Sequence, residues 1–272
     1  MSERGVVEGA RGFVEGVRVG DLCGGTVAEV VLSPWGVPRE VTVALDGAPV
    51  GCPLGWVGAL DVTWGPRRTR LDSLEVGQRI TAEVIAVDLD EERVQLSLAA
   101  TEHAELWGFL KRLRPGEVLS GTVASIESFG VFVALDDGPG HPIHPGVGFI
   151  THPDLSWRHF DDPRDVVRVG ERVTCEYLYF DTTNGEARLS LRATSPDPFQ
   201  AFADGTAPGD TLRGCVTKVV PFGYFVRVVD GVEGLVPLQD PVAVVGEELG
   251  VVVTELDRER RRLLLRATPA SP

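Results

Sequence analysis

Positive charge is scarce in this sequence, and lysine is almost absent. Lys111 and Lys218 are the only lysines, and 26 lysine and arginine residues face 40 aspartate and glutamate residues, which gives a formal net charge of −14. Lysine and arginine neutralise phosphates and supply most of the non-specific affinity for nucleic acids. The charge balance therefore argues against tight binding of duplex nucleic acid.

Long apolar runs and cysteine motifs are also missing. No stretch approaches roughly eighteen consecutive apolar residues, and the first residues carry charges of both signs, so we expect neither a membrane span nor a signal peptide. The four cysteines show no C-x-x-C spacing, which favours a reducing, cytoplasmic setting. With 43% hydrophobic residues the chain still has ample material for buried cores.

Catalytic motifs are absent as well. The sequence contains no P-loop, no nucleophile elbow, no dinucleotide-binding glycine motif after a strand and no convincing Cys-His pair. Histidines crowd into one segment around Asp154, but two of them lie in a loop rich in proline and glycine, without a thiolate partner. The four histidines are His141, His144, His152 and His159. We expect a protein that is not an enzyme and that uses no metal and no cofactor.

The sequence does contain an internal repeat. The segment "GFITHPDLSW" at 148–157 follows the pattern of "GWVGALDVTW" at 55–64, and "QLSLAAT", "RLSLRAT" and "RLLLRAT" end at Thr101, Thr194 and Thr268. These landmarks define three units of unequal length. The predicted organisation is an N-terminal extension at 1–16, units at 17–101, 114–194 and 207–268, linkers at 102–113 and 195–206, and a tail at 269–272.

Each unit is predicted to form five short strands, because alternating β-branched residues are separated by turns rich in Gly, Pro and Asp. In the second unit the predicted strands are 117–126, 129–135, 147–151, 171–180 and 186–192. Helical periodicity occurs only at 101–113 and 197–204, between units. The sequence therefore predicts an all-β protein of three small closed barrels joined by short helical linkers. Trp64 and Trp157 are expected to close one end of their own barrels.

Two of the three units carry a longer series of motifs. They include "PGEVLSGTVASIESFGVFVAL" in the second unit, "PGDTLRGCVTKVVPFGYFVRVVDGVEGLVPL" in the third, and the spacer "DPFQAFADGTAPGD" between them. This series resembles the S1 domain family, the RNA-binding repeat of a bacterial ribosomal protein. The resemblance implies an OB fold for each unit, with single-stranded RNA held across the second and third strands. The first unit is a degenerate copy, since "VLSPWGVPREVTVALDGAPVGCP" replaces the aromatic motif.

Aromatic residues of "SFGVFV" and "PFGYFV" are the first candidates for contact with RNA, because stacking of a base on an exposed ring is worth about 1–3 kcal/mol. These residues are Phe129, Phe132, Phe222, Tyr224 and Phe225. Strict alternation would place Phe129 and Phe132 on opposite faces, but Gly130 permits a bulge or twist that turns both rings outward. Together with the resemblance, this predicts at least one exposed ring in each unit.

The resemblance also implies a histidine shortly after the third strand and an Asp-Arg pair at the fourth and fifth strands. Thr151 and Pro237 occupy the histidine position, and His152 follows one residue later. Glu186 stands where an arginine is expected, and Arg188 is the candidate substitute on the same strand face. The polar residues predicted to contact RNA are His152, Asp181, Arg188, Asp257, Arg260 and Arg261. The alternatives are a histidine without a role, and turn-capping aspartates in exposed ion pairs.

Charge differs among the units and indicates the main site. The first two units each carry seven basic and twelve acidic side chains, whereas the third carries eight and nine and contains the basic cluster "RERRRLLLR". We expect single-stranded RNA, either mRNA or ribosomal RNA, to bind mainly to the third unit, in translation or at the ribosome. The alternative is a protein-docking module whose barrels have lost RNA binding, which the altered histidine positions and the first unit favour.

Overall fold

The computed structural model describes residues 3–36, 38–65, 71–238 and 243–268. Within these ranges the chain forms three closed barrels of five strands each, which confirms the predicted all-β OB architecture. Around each barrel the strands follow the order first, second, third, fifth, fourth. The third and fifth strands pair in parallel, and the other neighbouring strands pair antiparallel. Closure leaves no long sheet edge for another chain to pair with.

The strands lie close to their predicted positions. The first barrel contains β1 (Leu22–Leu32), β2 (Pro38–Leu45), β3 (Gly55–Gly58), β4 (Arg79–Asp88) and β5 (Arg93–Ser97). The second contains β6 (Val118–Glu127), β7 (Gly130–Leu135), β8 (Gly148–Thr151), β9 (Arg172–Asp181) and β10 (Glu186–Ser190). The third contains β11 (Thr211–Val220), β12 (Gly223–Val229), β13 (Val232–Pro237), β14 (Glu248–Asp257) and β15 (Arg262–Ala267). In the second unit β10 ends before the prediction, because a 3-10 turn follows at Arg192–Thr194.

Alternation along each strand sends every second side chain into a barrel core. In β7, Val131 and Val133 are buried inside the second barrel, while Phe132 between them points to the outer surface. The first strand of each barrel contains a register shift, at Val27/Glu29, Val123/Ser125 and Val216/Lys218. Such bulges bend the strand and increase its twist, which lets the first strand pair with a neighbour on each side and close the barrel.

Helices precede the first barrel and fill the segments between barrels. Helix α1 (Glu3–Gly16) packs Ala10 and Val14 into the first core; the sequence analysis missed it, since its glycines lower helix propensity. Helices α2 (Ala99–Glu102) and α3 (Ala104–Arg112) form the first predicted linker. A single turn, α4 (His152–Leu155), follows β8, and α5 (Pro198–Asp204) forms the second predicted linker.

Trp64 does not close its own barrel but reaches the second one. Its side chain is buried, and the indole N–H donates to the Thr182 carbonyl oxygen, 2.8 Å away in the β9–β10 hairpin. The indole stacks on Trp107 of α3 and on His103, with ring centroids 5.4 and 5.8 Å apart. Gly185 lies against the ring at a φ of +71°, where a Cβ would overlap the indole. The ring therefore joins the first barrel to the second.

Trp157 makes the equivalent contact with the third barrel. The guanidinium of Arg261, in the β14–β15 hairpin, lies 4.5 Å from the centre of the Trp157 ring, and the indole N–H donates to the Ser195 carbonyl oxygen over 3.2 Å. Arg261 also has a positive φ, +49°, and forms an ion pair with Asp197 at 2.9 Å. The prediction that each repeated tryptophan caps its own barrel is wrong, because the loop carrying it extends to the next barrel's hairpin.

The four cysteines do not form disulfide bonds. All four cysteines are free. Cys175 is buried inside the second barrel, where burial raises the pKa of its thiol to about 12 and leaves it unreactive at neutral pH. Among the described residues no helix is both long and apolar enough to cross a membrane.

Candidate nucleic-acid interface

Each barrel has an outer face formed by its second, third and fifth strands. We define this face by one outward-pointing residue on each of the three strands, at paired positions of the ladders. These residues are Phe132, Phe149 and Arg188 in the second barrel, Phe225, Leu235 and Leu264 in the third, and Thr42, Trp56 and Gln95 in the first. The resemblance noted in the sequence implies that single-stranded RNA lies across the second and third strands of this face.

The outer face of the third barrel is open to solvent. Phe222, in the β11–β12 turn, is 61% exposed, and Phe225 and Leu235 are only half-buried. Lys218 pairs with Phe225 across the strands, and Arg262 is exposed at the start of β15. Neither basic side chain forms an ion pair with a residue that the structure describes. The face thus combines an apolar platform with free positive charge, which suits stacking of a base and contact with its phosphate.

Tyr224 lies inside the third barrel rather than on this face. Its side chain is 2% exposed and packs in the same core as Val226. Alternation along β12 explains this placement, because Tyr224 and Phe225 are neighbours in the chain and point to opposite sides of the sheet. The ring of Tyr224 is therefore not available to a base.

The matching face of the second barrel is covered. Phe132 and Phe149 are 4% and 5% exposed, although both point away from the core. Phe129 lies over the Phe149 ring, with centroids 5.8 Å apart, and His144 stacks on Phe132 at 4.7 Å. Phe129 itself is 62% exposed. Phe129 and Phe222 thus give each of these two barrels one exposed ring, as predicted.

The β7–β8 loop, residues 136–147, supplies His144, the part of the cover that lies on Phe132. His141 anchors this loop, because its Nε2 lies 2.9 Å from the Asn184 carbonyl oxygen and its Nδ1 accepts hydrogen bonds from the backbone N–H groups of Ile143 and His144. This pattern fits a neutral ring with its proton on Nε2. The anchored loop holds the His144 ring within 18° of parallel to Phe132. In the third barrel the corresponding connection is only 230–231, too short to cover anything.

Arg188 lies beside Asp181, as predicted, but two carboxylates and a ring enclose it. Its guanidinium is 2.6 Å from the Asp181 carboxylate, 3.2 Å from that of Glu186, and 4.7 Å from the centre of the Phe149 ring. Burial acts to raise the pKa of Asp181, but hydrogen bonds from Arg188 and Asn184 outweigh burial and lower it. With its side chain 15% exposed, Arg188 has little surface left for a phosphate.

The basic cluster of the third barrel divides between two surfaces. The side chain of Arg260 is 80% exposed, and the Asp257 carboxylate accepts a hydrogen bond from the Arg260 backbone N–H over 2.9 Å. Arg262 lies opposite Asp257 in the β14–β15 ladder, and its side chain is exposed. Arg261 instead turns toward the second barrel and packs on Trp157. Arg260 and Arg262 therefore remain near the outer face, whereas Arg261 belongs to the joint between barrels.

The four histidines do not come together at one site, although the rings of His141 and His144 lie 4.5 Å apart. His152 begins α4 and lines a cleft between the second and third barrels, with its ring 5.7 Å from that of Phe160. Its Nε2 is buried and has no hydrogen-bond partner among the described residues. His159 lies 3.5 Å from Asp161, on the surface. In the part of the chain that the structure describes, no three His, Cys, Asp or Glu side chains come together as metal ligands.

The first barrel carries aromatic residues that the sequence analysis overlooked. Trp35, at the tip of the β1–β2 hairpin, is 89% exposed and precedes Gly36, as the exposed phenylalanines precede glycine in the other barrels. Trp56 on the outer face lies 5.1 Å from the guanidinium of Arg93, which pairs with Glu40 at 2.8 Å. The shared aromatic-glycine step would have identified Trp35, but the longer hairpin of this barrel hides the alignment.

Comparison with known proteins agrees with this geometry. The model of the S1 RNA binding domain matches residues 112–192 and 206–267. Small ribosomal subunit protein bS1 of Mycobacterium tuberculosis is 39% identical over 214 residues, covering 73% of this chain and 43% of the relative. The bS1 protein of Streptococcus pneumoniae is 33% identical (72% of this chain, 51% of the relative), and that of Neisseria meningitidis is 26% identical (97% and 47%).

The chain spans about half the length of the bS1 proteins it matches. The two segments matched by the domain model contain the second and third barrels and make up more than half of the sequence. The repeated motifs, the closed five-stranded barrels and these matches agree. The chain belongs to the S1 RNA-binding domain family.

Proposed function

We propose that this protein binds single-stranded RNA without enzymatic activity, and that the outer face of the third barrel is its main binding surface. The observation that carries the proposal is the open platform of Phe222, Phe225 and Leu235. It is flanked by Lys218 and Arg262, which form no ion pair with a residue that the structure describes. Aromatic platforms with nearby positive charge bind single strands of any sequence, since every base has a face that can stack.

The acidic composition of the chain is compatible with RNA binding at this surface. A net charge of −14 opposes binding modes that rest on phosphate neutralisation alone. The third barrel is nearly neutral, with eight basic and nine acidic side chains in 207–268. Stacking therefore supplies most of the affinity, and duplex RNA, whose bases are already stacked on each other, binds poorly.

In this proposal the second barrel contributes less to RNA affinity than the third, and the first barrel offers a separate surface. Phe129 is the one ring of the second outer face that a base can reach, because Phe132 and Phe149 are buried beneath it. The first barrel offers Trp35 and the Trp56–Arg93 pair. Since the relatives are ribosomal proteins, we assign the chain to translation in the cytoplasm, with mRNA or ribosomal RNA as the ligand.

The test is a titration of a labelled, mixed-sequence single-stranded RNA, followed by fluorescence anisotropy at low and physiological salt. We expect micromolar or tighter binding by the native protein. Phe222→Ala combined with Phe225→Ala should weaken it at least about tenfold, because two stacking contacts are lost. Phe129→Ala, at an equally exposed ring, should weaken it by no more than about threefold.

Unfolding curves of the variants verify that each barrel remains folded, and a duplex of the same sequence serves as competitor. Equal losses in the Phe129 variant and the double variant would move the main site away from the third barrel. No binding by the native protein at low salt would reject the RNA proposal and leave the protein-docking function as the explanation for these barrels.

A further inference from the structure

The joint between the second and third barrels encloses a cleft of about 480 Å³. Rings of Trp157, Phe160 and Phe199 line it, together with two acidic residues, Asp230 and Glu233. Four arginines also line it, and they come from both barrels. They are Arg158, Arg192, Arg227 and Arg261. In a chain with a net charge of −14, the cleft is a local concentration of guanidinium groups.

The cleft continues the outer face of the third barrel. Along β12, Phe225 lies on the face and Arg227 lies in the cleft, and both side chains point outward because they are two residues apart. Along β13, Leu235 and Glu233 are related in the same way, and Glu233 is the ladder partner of Arg227. Two residues of a strand span about 7 Å. A nucleic-acid strand stacked on Phe225 therefore meets the cleft with its next phosphates.

The arginines of the cleft keep free hydrogen-bond donors. A guanidinium has five N–H donors, and Arg158 donates through a single Nη2 contact to Asp230. Arg192 lies 3.5 Å from Asp154 in a loose ion pair. Arg227 makes no side-chain hydrogen bond or ion pair with any residue in the described part of the chain. Phosphate oxygens match the fork of a guanidinium in geometry and charge.

Arginines already pack on two of the three rings of the cleft, those of Trp157 and Phe199. The guanidinium groups of Arg192 and Arg261 lie 4.6 and 4.5 Å from the centre of the Trp157 ring. Arg261 also lies 5.5 Å from the centre of the Phe199 ring. A base would have to displace these contacts, whereas a phosphodiester would use N–H donors at their edges. The cleft is thus suited to the backbone of a nucleic acid rather than to its bases.

We propose that this cleft binds the phosphodiester backbone of single-stranded RNA where the strand leaves the outer face of the third barrel. Arg227 makes the first contact, and Arg158 and Arg192 bind the phosphates that follow. The site rests on the proposed function and extends it, because the strand then crosses the joint from the third barrel to the second.

The experiment compares two labelled RNAs, of about six and about twelve nucleotides, within the range of lengths that single OB folds bind. Arg227→Ala should leave binding of the short RNA nearly unchanged. It should weaken the long RNA about fivefold and reduce the slope of log affinity against log salt by about 0.7, the value for one phosphate contact on a single strand. Arg213→Ala, an exposed arginine of β11 outside the cleft, is the charge-matched control.

A second variant should act in the opposite direction. Asp230→Asn releases Arg158 from its ion pair and should strengthen binding of the long RNA about twofold, whereas Glu248→Gln, an exposed acid on β14, should not. Misfolding cannot produce such a gain. If the native protein binds RNA through Phe222 but Arg227→Ala behaves like Arg213→Ala, the cleft proposal alone is overturned. If neither RNA binds the native protein, both proposals are overturned.

Discussion

Phe132 and Phe225 hold the same position in the second and third barrels, yet their surroundings differ. Phe132 is 4% exposed beneath Phe129 and His144, whereas Phe225 is half-buried on an open face. The difference originates in the next connection, which folds back over the second barrel at 136–147 but is a tight turn in the third. An outward-pointing aromatic residue can therefore be converted to packing by the loop that follows its strand.

The charged residues of the outer faces of the second and third barrels also differ in their burial. At the start of the fifth strand the second barrel has Glu186 where the third has Arg262. Each lies opposite the aspartate that ends the fourth strand in the ladder. Glu186 is buried against Arg188, while Arg262 is exposed. The second outer face is closed by charge pairing as well as by rings. The third is open in both respects.

The largest expected difference between the two barrels is in stability. Phe132→Ala removes a buried ring that packs against Phe149 and His144, so we expect a loss of about 3–5 kcal/mol in the free energy of unfolding. Phe225→Ala, at the half-buried position, should cost about 1 kcal/mol. Urea unfolding followed by circular dichroism measures both values. Similar losses in the two variants would contradict the division between a packing role and a binding role.

Exchanging the charge at the matched position should remove part of the difference in RNA affinity. Arg262→Glu gives the third barrel the residue type of the second, so we expect RNA binding to weaken about fivefold, with a shallower salt dependence. Arg213→Glu changes the net charge equally at an exposed site away from the face. Anisotropy titrations at several salt concentrations measure both effects. If the two variants lose the same affinity, the effect is one of overall charge and the outer face is not involved.

The smallest expected effect is the part of the acid dependence of stability that Asp181 of the second barrel contributes. Hydrogen bonds from Arg188 and Asn184 lower the pKa of Asp181 against the effect of burial. A depressed carboxyl pKa stabilises the fold above the unfolded value of about 3.9, and this contribution is lost as the pH falls through the folded pKa. Unfolding curves measured between about pH 5 and pH 2 should therefore decline less steeply for Asp181→Asn than for the native protein. Parallel curves would show that the pair with Arg188 adds no stability.

Local sequence patterns predicted the strands, the linker helices and the meeting of Asp181 with Arg188, because each depends on alternation or on residues close in the chain. The same alternation places Tyr224 in the core, which the resemblance to aromatic surface motifs obscured. The cover over Phe132 was not predictable, since it depends on how His141 anchors a loop to the distant Asn184. The contact of Trp64 with the second barrel was not predictable for the same reason, because it joins residues far apart in the chain. The sequence showed only that the tryptophan is repeated at Trp157.

The contacts of Trp64 have a further consequence for cooperativity. Trp64 and Ala99 belong to the same continuous cluster of buried residues as Leu110 of the linker and Ile150 of the second barrel. The buried residues of the third barrel form a separate cluster, joined to the second barrel through half-buried Trp157 and ion pairs. The first barrel also has a core of its own, but buried Trp64 couples it to the second core, whereas Trp157 at the other joint is only half-buried. We therefore expect heat to melt the third barrel more independently than the first two.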